Sequence, residues 1–255
     1  MNRHIQNMKT SESAITTAVI LAAGLGTRFG KHTETIPKGF IEAGGKPMVI
    51  RSIETLISCG IRRIIIGTGY RKEAFEALKT RYPQIECVFS PEYATTNSMY
   101  TLYNMRSAIG SDSFLLLESD LVFERKAITS LLDCAHPSAM LITPVTKFQD
   151  QYYIEADAGG NLTACSTDKE TLTPDGELVG IHKLDNRFYR AMCVDYSAKA
   201  ASQPKLGYEY ELLTVSRTLL PLPVLKVSPL LWYEIDDERD LRYAESHVIS
   251  RIDEG

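Results

Sequence analysis

The sequence lacks the features that mark membrane-spanning and disulfide-stabilised proteins. No apolar run approaches the ~20 residues that a membrane span needs, and the polar residues 1–16 have no apolar segment like that of a secretory signal. The five cysteines stand singly, without a C-x-x-C pair or the histidine spacing of a zinc site. We therefore expect a soluble, cytoplasmic protein with reduced thiols, no membrane partner and a frayed N-terminus over residues 1–16.

The sequence also has no excess of basic residues. With 28 lysines and arginines against 32 aspartates and glutamates, the formal net charge is −4, whereas proteins that neutralise nucleic-acid phosphates usually carry a basic domain or stripe. We exclude nucleic acid as a partner on this ground. The five histidines follow no recognisable motif, so no Ser-His-Asp arrangement is predicted. The 255 residues are 44% hydrophobic, which is enough for one large core.

Continuous apolar runs and helical spacing alternate along the first half of the chain. The runs at Thr17–Ala23, Arg63–Gly67 and Phe114–Leu117 are typical of strands that are buried on both faces. Apolar residues three and four positions apart predict amphipathic helices at Pro47–Cys59, Lys72–Tyr82 and Met99–Ile109. The alternation predicts an α/β fold with a Rossmann-like, mostly parallel sheet flanked by helices.

The pattern changes after a further predicted strand at Ala139–Pro144. Two short strands, Tyr152–Ala156 and Leu162–Ser166, flank the turn-forming sequence Asp157–Asn161, which is a strong hairpin signal. A final strand is predicted at Trp232–Asp236. We predict a single domain over residues 17–255, in which residues from about 145 to 222 form an inserted substrate lobe.

A glycine-containing loop follows the first predicted strand. It reads Leu21-Ala22-Ala23-Gly24-Leu25-Gly26-Thr27-Arg28, and Pro37-Lys38 lies ten residues beyond the arginine. Glycines let backbone N–H groups approach phosphate oxygens, and the arginine and lysine compensate phosphate charge. A G-x-G pair alone is equally typical of an ordinary turn between a strand and a helix, and neither the P-loop nor the G-x-G-x-x-G spacing is met. The whole combination favours a triphosphate-binding loop.

This combination resembles the signature of a known family, the nucleotidyltransferases of the sugar-phosphate and phosphocholine type, which reads L-A-A-G-x-G-T-R followed by P-K. The resemblance extends from Val19 to about Tyr243. Three further segments are more similar to the cytidylyltransferases for phosphocholine and 2-aminoethylphosphonate, and most of all to the latter. They are Asn97-Ser98-Met99-Tyr100-Thr101-Leu102, Glu118-Ser119-Asp120 and Tyr233-Glu234-Ile235-Asp236.

The resemblance implies a fold of the nucleotide-diphospho-sugar transferase type and a reaction. The reaction joins CTP to a small phosphorylated or phosphonylated amine and releases pyrophosphate with the help of Mg²⁺. Asp120 and Asp236 match the family's metal-binding aspartates, and Lys38 and Arg28 complete the catalytic set. The resemblance also implies nucleotide contacts from Leu21, Ala22, Ala23, Gly24, Gly26, Thr27, Arg28, Lys38, Thr96, Asn97, Ser98 and Ser119.

Two positions depart from the family pattern. Lys31 stands where many relatives have proline, and it could be either a phosphate ligand or a solvated loop charge. Glu118 stands where the phosphocholine branch tends to have aspartate, so its role is less secure than that of Asp120.

An acceptor that carries an amine needs a site for an ammonium group. Aromatic faces and carboxylates are the two kinds of group that can bind an ammonium ion. Two segments of the chain together supply such residues. The candidate residues are Tyr152, Tyr153, Tyr208, Glu209, Tyr210 and Glu211. The alternative is that the tyrosines belong to the core and the glutamates to a solvated helix start, where acidic residues suit the helix dipole. Because a primary amine donates hydrogen bonds to carboxylates, the glutamates favour 2-aminoethylphosphonate over phosphocholine.

Other functions stay open at this level. Within enzymes, the alternatives are phosphocholine and then a sugar or polyol phosphate as the acceptor. A regulatory subunit that has lost catalysis is an alternative from a different class, although the presence of Arg28, Lys38, Asp120 and Asp236 together argues against it. Fusion to another catalytic domain, or a homodimer, is the assembly to consider.

Overall fold

A nine-stranded sheet forms the centre of the computed structural model, which describes residues 15–146 and 151–254. The strands in this part of the chain are β1 (Thr17–Ala22), β2 (Glu42–Ala43), β3 (Lys46–Pro47), β4 (Arg63–Thr68), β5 (Ile85–Phe89), β6 (Phe114–Glu118), β7 (Leu121–Phe123), β8 (Ala139–Thr143), β9 (Tyr153–Ala156), β10 (Leu162–Ser166), β11 (Gly176–Leu184), β12 (Val224–Lys226) and β13 (Trp232–Glu234). The α-helices are α1 (Met48–Ser58), α2 (Lys72–Leu78), α3 (Ser98–Asn104), α4 (Arg106–Ile109), α5 (Arg125–Asp133), α6 (Asn186–Lys199), α7 (Tyr208–Thr218), α8 (Glu238–Ala244) and α9 (Ser250–Glu254).

The pairing of the strands is mixed but mostly parallel in the half that carries the glycine loop. The strand order is β10-β9-β11-β6-β1-β4-β5, and β8 joins the sheet by pairing with β11 and β12. Strand β1 pairs in parallel with β4 and β6, and β4 pairs in parallel with β5. Strand β11 runs antiparallel to β6, β8 and β9. The predicted α/β class, with a mostly parallel sheet flanked by helices, is confirmed.

Apolar side chains cover both faces of this sheet. In β1, Ala18, Ile20 and Ala22 enter one buried cluster, whereas Val19 and Leu21 enter another. Because successive side chains of a strand point to opposite faces, the two clusters lie on opposite sides of the sheet. Helix α1 packs into the first cluster and α3 into the second. This two-sided burial is the reason that the strand is a continuous apolar run.

Among the differences from the sequence pattern, two concern β11 and the region of α3 and α4. The pattern does not identify β11, because Glu177, His182 and Lys183 interrupt its apolar residues, yet all nine residues of the strand are buried. The stretch Met99–Ile109, predicted as one helix, forms α3 and α4. The two are separated at Met105, whose φ of −79° and ψ of −3° depart from ideal helical values.

Some predictions fall on segments outside the described residues. Residues 1–14, which make up most of the predicted frayed N-terminus, are among them, and so is the side chain of Lys31. Thr16 is described, and its carbonyl oxygen accepts a hydrogen bond from the N–H of Arg62 over 2.8 Å. Within the ranges 15–146 and 151–254, no helix combines the length and the apolar character that crossing a membrane requires.

Two acidic segments meet where the central strands end. Strand β6 ends at Glu118, and β7, which follows at once, pairs antiparallel with β13. The N–H of Ile235 donates a hydrogen bond to the carbonyl oxygen of Asp120 over 3.0 Å. The sequences Glu118-Ser119-Asp120 and Glu234-Ile235-Asp236 therefore lie side by side. Ligands of open α/β sheets bind at the carboxyl ends of the strands, so this is the expected place for a site.

Candidate active site

The loop after β1 makes room for Lys38. Gly26 has a left-handed backbone with a φ of 64°, and a Cβ atom at this position would lie 2.9 Å from the Cβ of Lys38. Any other residue would therefore be strained and would push the lysine away. Thr33 Oγ1 donates a hydrogen bond to the Gly26 carbonyl oxygen over 3.0 Å, which fixes the loop. The second glycine of the loop thus has a steric role besides the predicted approach to phosphate.

The ammonium group of Lys38 lies between two aspartates. Its Nζ is 2.5 Å from Asp120 Oδ2 and 2.6 Å from Asp236 Oδ1. Arg28 Nη2 contacts the same Asp236 oxygen over 2.7 Å. The side chain of Asp236 is only 5% exposed, whereas that of Arg28 is 57% exposed. The structure therefore brings together the four residues that were predicted to be catalytic.

Lys38 is held in its charged form. Burial alone would lower its pKa, but the nearby carboxylates of Asp120 and Asp236 outweigh this effect and raise the pKa well above its usual value. Both aspartate oxygens converge on one cationic point, so the pair has the geometry to share a cation. Carboxylate oxygens are the ligands that Mg²⁺ prefers in proteins, and the two aspartates therefore fit the predicted metal.

A cavity of about 310 Å³ opens beside this cluster. Of the residues predicted to contact the nucleotide, all except Thr27 line the cavity: Leu21, Ala22, Ala23, Gly24, Gly26, Arg28, Lys38, Thr96, Asn97, Ser98 and Ser119. The lining residues that were not predicted as site residues include Pro37, Gly39, Tyr93, Thr101 and Glu234. Thr101 lies one helical turn after the Asn97-Ser98 pair and could have been found from that spacing. No sequence signal points to Tyr93.

A second cavity, of about 450 Å³, adjoins the first. The two share Arg28, Glu118, Tyr152, Glu209 and Glu234 among their lining residues. The two cavities therefore adjoin beside the cluster of Lys38, Asp120 and Asp236, since Lys38 and Asp120 line the first cavity and Asp236 lines the second. Such a junction suits a reaction that transfers a group between two substrates.

Two of the six predicted acceptor residues line the second cavity, and a third supports them. Tyr152 and Glu209 are the lining pair. The ring of Tyr210 packs edge-on against Tyr152, with 5.6 Å between the ring centroids. The structure thus places one tyrosine and one glutamate where an acceptor could touch them.

The other three predicted acceptor residues line neither of these two cavities. Tyr153 is 1% exposed in β9 and Tyr208 is fully buried. Glu211 is also fully buried, with Oε2 lying 2.7 Å from Nζ of Lys199. The burial of Tyr153 and Tyr208 agrees with the alternative that the tyrosines belong to the core, whereas Glu211 is buried and not part of a solvated helix start.

Glu234, which was not predicted as a site residue, adds a carboxylate to the group around Asp120. Glu118, Asp120 and Glu234 each offer an oxygen, and these oxygens lie within 4.8 Å of one another. Glu234 could have been found from the sequence, because the E-x-D spacing of Glu118 and Asp120 recurs at Glu234 and Asp236. Residues two apart in an extended chain share a face. The group could hold a divalent metal, with Asp120 as the member shared with the predicted aspartate pair.

The start of α3 and the residues that lead into α7 are hydrogen-bonded to each other. Ser98 Oγ accepts from the N–H of Tyr208 over 3.0 Å, and Asn97 Nδ2 donates to the Lys205 carbonyl oxygen over 3.1 Å. A third bond runs from the Met99 N–H to the Leu206 carbonyl oxygen. These bonds fix the first turn of α7, and with it Glu209, relative to the first cavity.

Tyr208 links Glu118 to a buried histidine. Its hydroxyl group lies 2.6 Å from Glu118 Oε1 and 3.2 Å from Nε2 of His182, which has no exposed surface. Burial lowers the pKa of His182 to about 3. His182 is therefore neutral in the folded protein at pH values where it becomes charged in the unfolded chain.

This difference predicts a pH-dependent stability. Below the ordinary histidine pKa of about 6.5, the unfolded state binds a proton that the folded state does not, so stability falls as the pH falls towards 3. At pH 5 the loss relative to neutral pH is expected to be ~2 kcal/mol from this residue. Urea unfolding at pH 7.5 and pH 5 should show this loss in the wild type and a smaller one in His182→Gln. Equal losses in both proteins would contradict the prediction.

Comparisons with known proteins agree with this geometry. The family described as the MobA-like NTP transferase domain matches residues 18–214. A 2-aminoethylphosphonate cytidylyltransferase of Lancefieldella rimae is 36% identical over 121 residues, which are 48% of this chain and 49% of that protein. A CMP-5'-(3-aminopropyl)phosphonate synthase of Streptomyces rubellomurinus is 27% identical over 248 residues, which are 92% of this chain and 39% of that protein.

A solved structure is similar over almost its whole length. The CTP:phosphocholine cytidylyltransferase of Streptococcus pneumoniae superposes with a TM-score of 0.77 at 26% identity, covering 91% of this chain and 99% of that one. The resemblance inferred from the sequence motifs is thereby confirmed. The matches to the two phosphonate relatives span half of their length or less.

Proposed function

Because the chain belongs to the family of MobA-like NTP transferase domains, we propose that it is a cytidylyltransferase that acts on 2-aminoethylphosphonate. It would convert CTP and this acceptor to CMP-2-aminoethylphosphonate and pyrophosphate, a step that prepares phosphonate for attachment to lipids or glycans. Similarity to two relatives named for aminoalkylphosphonates supports the acceptor. The scattered, unpaired cysteines predict a reducing compartment, so we assign the reaction to the cytoplasm.

The observation that carries the proposal is the position of Lys38. Lys38 lines the first cavity, and its ammonium group contacts both Asp120, which lines the same cavity, and Asp236, which lines the second. A positive charge at the junction of a nucleotide cavity and an acceptor cavity lies where charge develops during phosphoryl transfer. This arrangement also supports catalysis over the alternative of an inactive nucleotide-binding protein.

The chemistry needs little covalent help from the protein. A phosphonate oxygen of the acceptor attacks the α-phosphorus of CTP, and the bond from that phosphorus to the oxygen bridging to the β-phosphorus breaks, so that the electron pair leaves with pyrophosphate. Phosphate monoesters have a second pKa of about 6, and we expect a similarly dianionic acceptor that requires no strong general base. The two cavities orient the reactants, Lys38 stabilises the charge on the α-phosphate, and the exposed Arg28 contacts the departing pyrophosphate.

The metal belongs to the same proposal. Nucleotidyltransferases of this family usually use a divalent metal. We assign Mg²⁺ to Asp120 and Asp236, whose oxygens already converge on one cation. When bound, Mg²⁺ would neutralise charge on the phosphate oxygens.

A substrate panel tests the proposal. Pyrophosphate release should be measured with CTP and with UTP against 2-aminoethylphosphonate, phosphocholine, phosphoethanolamine and a hexose 1-phosphate. We expect kcat/KM to be highest for CTP with 2-aminoethylphosphonate, and at least ~10-fold higher than for UTP, since one discriminating hydrogen bond is worth about that much. The contacts would come from the segment Thr96-Asn97-Ser98 and from the backbone after Ala23. Equal kcat/KM for CTP and UTP would refute the base preference.

Phosphocholine is the second candidate acceptor. The similarity to the Streptococcus pneumoniae structure favours it, and so does the ring of Tyr152 in the acceptor cavity, since aromatic faces bind quaternary ammonium groups. Faster turnover of phosphocholine than of 2-aminoethylphosphonate would replace our choice of acceptor while leaving the cytidylyltransferase assignment in place.

A further inference from the structure

Three glutamates from three separate elements line the second cavity, to which we assign the acceptor and which we call the acceptor cavity; the first cavity, assigned to CTP, is the nucleotide cavity. Glu118 ends β6, Glu209 lies in the first turn of α7, and Glu234 ends β13. We call these three residues the glutamate trio. Each of them also borders the nucleotide cavity, so the trio lies at the place where an acceptor would meet CTP.

Glu209 is the member of the trio with spare hydrogen-bonding capacity among the described residues. Glu118 Oε1 accepts from the Tyr208 hydroxyl over 2.6 Å, and Glu234 Oε2 accepts from Gln151 Nε2 over 3.1 Å. Glu209 is only 6% exposed, and within the described part of the chain its Oε2 has no hydrogen-bond partner. A buried carboxylate oxygen without a donor costs free energy, which a ligand with N–H groups would recover.

The nearby cationic side chains have other partners. Lys38 is bound to Asp120 and Asp236, and Arg28 contacts Asp236. Burial, with a further contribution from Glu234, raises the pKa of Glu209. The cavity therefore has an excess of acceptor oxygens that a cation would stabilise.

We propose that the glutamate trio is a primary-ammonium site, which binds the –NH₃⁺ end of the acceptor and discriminates against quaternary amines. This inference rests on the proposed function and specifies the chemical class of its acceptor. A primary ammonium has three N–H donors, one for each carboxylate of the trio. A trimethylammonium group has none and is best bound by several aromatic faces. Among the described residues that line this cavity, Tyr152 is the single aromatic one.

A metal ion is the rival occupant of part of the same cluster, because Glu118 and Glu234 approach Asp120. The two occupants make different predictions. Loss of a metal ligand slows the reaction with every acceptor. Loss of an ammonium ligand slows it only with acceptors that carry the amine.

Three acceptors separate these cases. They are 2-aminoethylphosphonate, its N,N,N-trimethyl derivative and ethylphosphonate, which share the attacking phosphonate and differ at the other end. With saturating CTP and Mg²⁺, the wild type should show a kcat/KM for 2-aminoethylphosphonate that is ten- to a hundredfold above the other two, as expected for charged hydrogen bonds that are partly desolvated. Equal values for the primary and the trimethylated amine would overturn the inference.

Charge-neutral variants of the trio test whether these three residues cause the preference for the primary amine. Glu118→Gln, Glu209→Gln and Glu234→Gln should each lower the ratio of kcat/KM for 2-aminoethylphosphonate to that for ethylphosphonate by about tenfold or more. Glu211→Gln is the matched control, since Glu211 is a buried glutamate of the same helix that pairs with Lys199 outside the cavity. Its ratio should not change. If kcat/KM in the trio variants falls equally for both acceptors, these residues bind a metal or are structural, and the inference is wrong.

Equilibrium binding keeps this inference separate from the proposed function. Titration calorimetry with CTP and Mg²⁺ omitted should show binding of 2-aminoethylphosphonate that weakens in the trio variants and not in Glu211→Gln. If this pattern holds but no acceptor releases pyrophosphate, the proposed reaction fails and the ammonium site stands. If pyrophosphate is released but 2-aminoethylphosphonate binds the wild type and all three variants equally, the reaction stands and the site fails.

Discussion

Pyrophosphate release is expected to fall at least about a hundredfold in Asp120→Ala and in Asp236→Ala, with the fold retained. Each substitution removes one of the two carboxylates that converge on Lys38 and that we assign to the metal. In each variant the lysine keeps its other aspartate, so no buried ammonium is left without a partner. Rates across a Mg²⁺ titration, together with the melting temperature, would measure both effects.

The neighbouring residue Asp237 provides the matched control. Its carboxylate accepts from the N–H groups of Arg239 and Asp240 and caps α8. Asp237→Ala should therefore destabilise the protein by about 1 kcal/mol through the lost cap and leave kcat near the wild-type value. Near-normal Mg²⁺-dependent rates in either Asp120→Ala or Asp236→Ala would contradict the metal assignment, whatever the result for Asp237→Ala.

The parts of the site that could be predicted are those encoded over short distances. The Gly26 loop and Lys38 lie close in the sequence, and Asp120 and Asp236 were predicted from short segments that match the family's motifs. The sequence also contains the repeated E-x-D spacing. It does not show that β7 and β13 pair and bring the two acidic segments together, because that contact joins residues more than a hundred positions apart. The spacing could have identified Glu234 as a candidate, but its approach to Glu118 and Asp120 depends on this long-range pairing.

Glu209 and Glu211 lie two positions apart in α7, and only Glu209 lines the second cavity. Two positions along an α-helix correspond to a rotation of about 200°, so these side chains point to opposite sides of α7. At most one of them could face an acceptor, and this follows from the sequence once the helix is accepted. Which one does so depends on Lys199 of α6, which pairs with Glu211 and leaves Glu209 at the cavity. That packing is long-range and was not predictable.

Strand β11 was missed because its polar residues are satisfied only in the folded structure. Lys183 Nζ donates to the Cys134 carbonyl oxygen over 2.8 Å, and His182 contacts the Tyr208 hydroxyl. Their partners come from distant segments, so the sequence pattern shows only interruptions in an apolar run. The central strand β1 has no such residues in its middle, and it was predicted almost to its observed ends.

Lys38→Ala is expected to lower kcat by about a hundred- to a thousandfold, as for the loss of one preorganised charge at a transition state, and to raise KM for CTP much less. The lysine lies at the junction of the two cavities, where negative charge builds up as the acceptor attacks. Its pKa is raised by the two aspartates, so it stays cationic through neutral and mildly alkaline pH. The lysine should therefore add no ionisation to the pH–rate profile near neutrality.

Two measurements separate the direct effect of the lysine from an effect on the metal. Without the ammonium, Asp120 and Asp236 repel each other more strongly, which should tighten Mg²⁺ binding, so rates must be compared at saturating Mg²⁺ for each protein. Lys38→Arg keeps the charge but presents a planar fork in place of a compact ammonium, and it should recover only part of kcat. If Lys38→Ala instead raises KM for CTP and leaves kcat unchanged, the lysine contributes equally to substrate and transition-state binding, and its role is nucleotide binding alone.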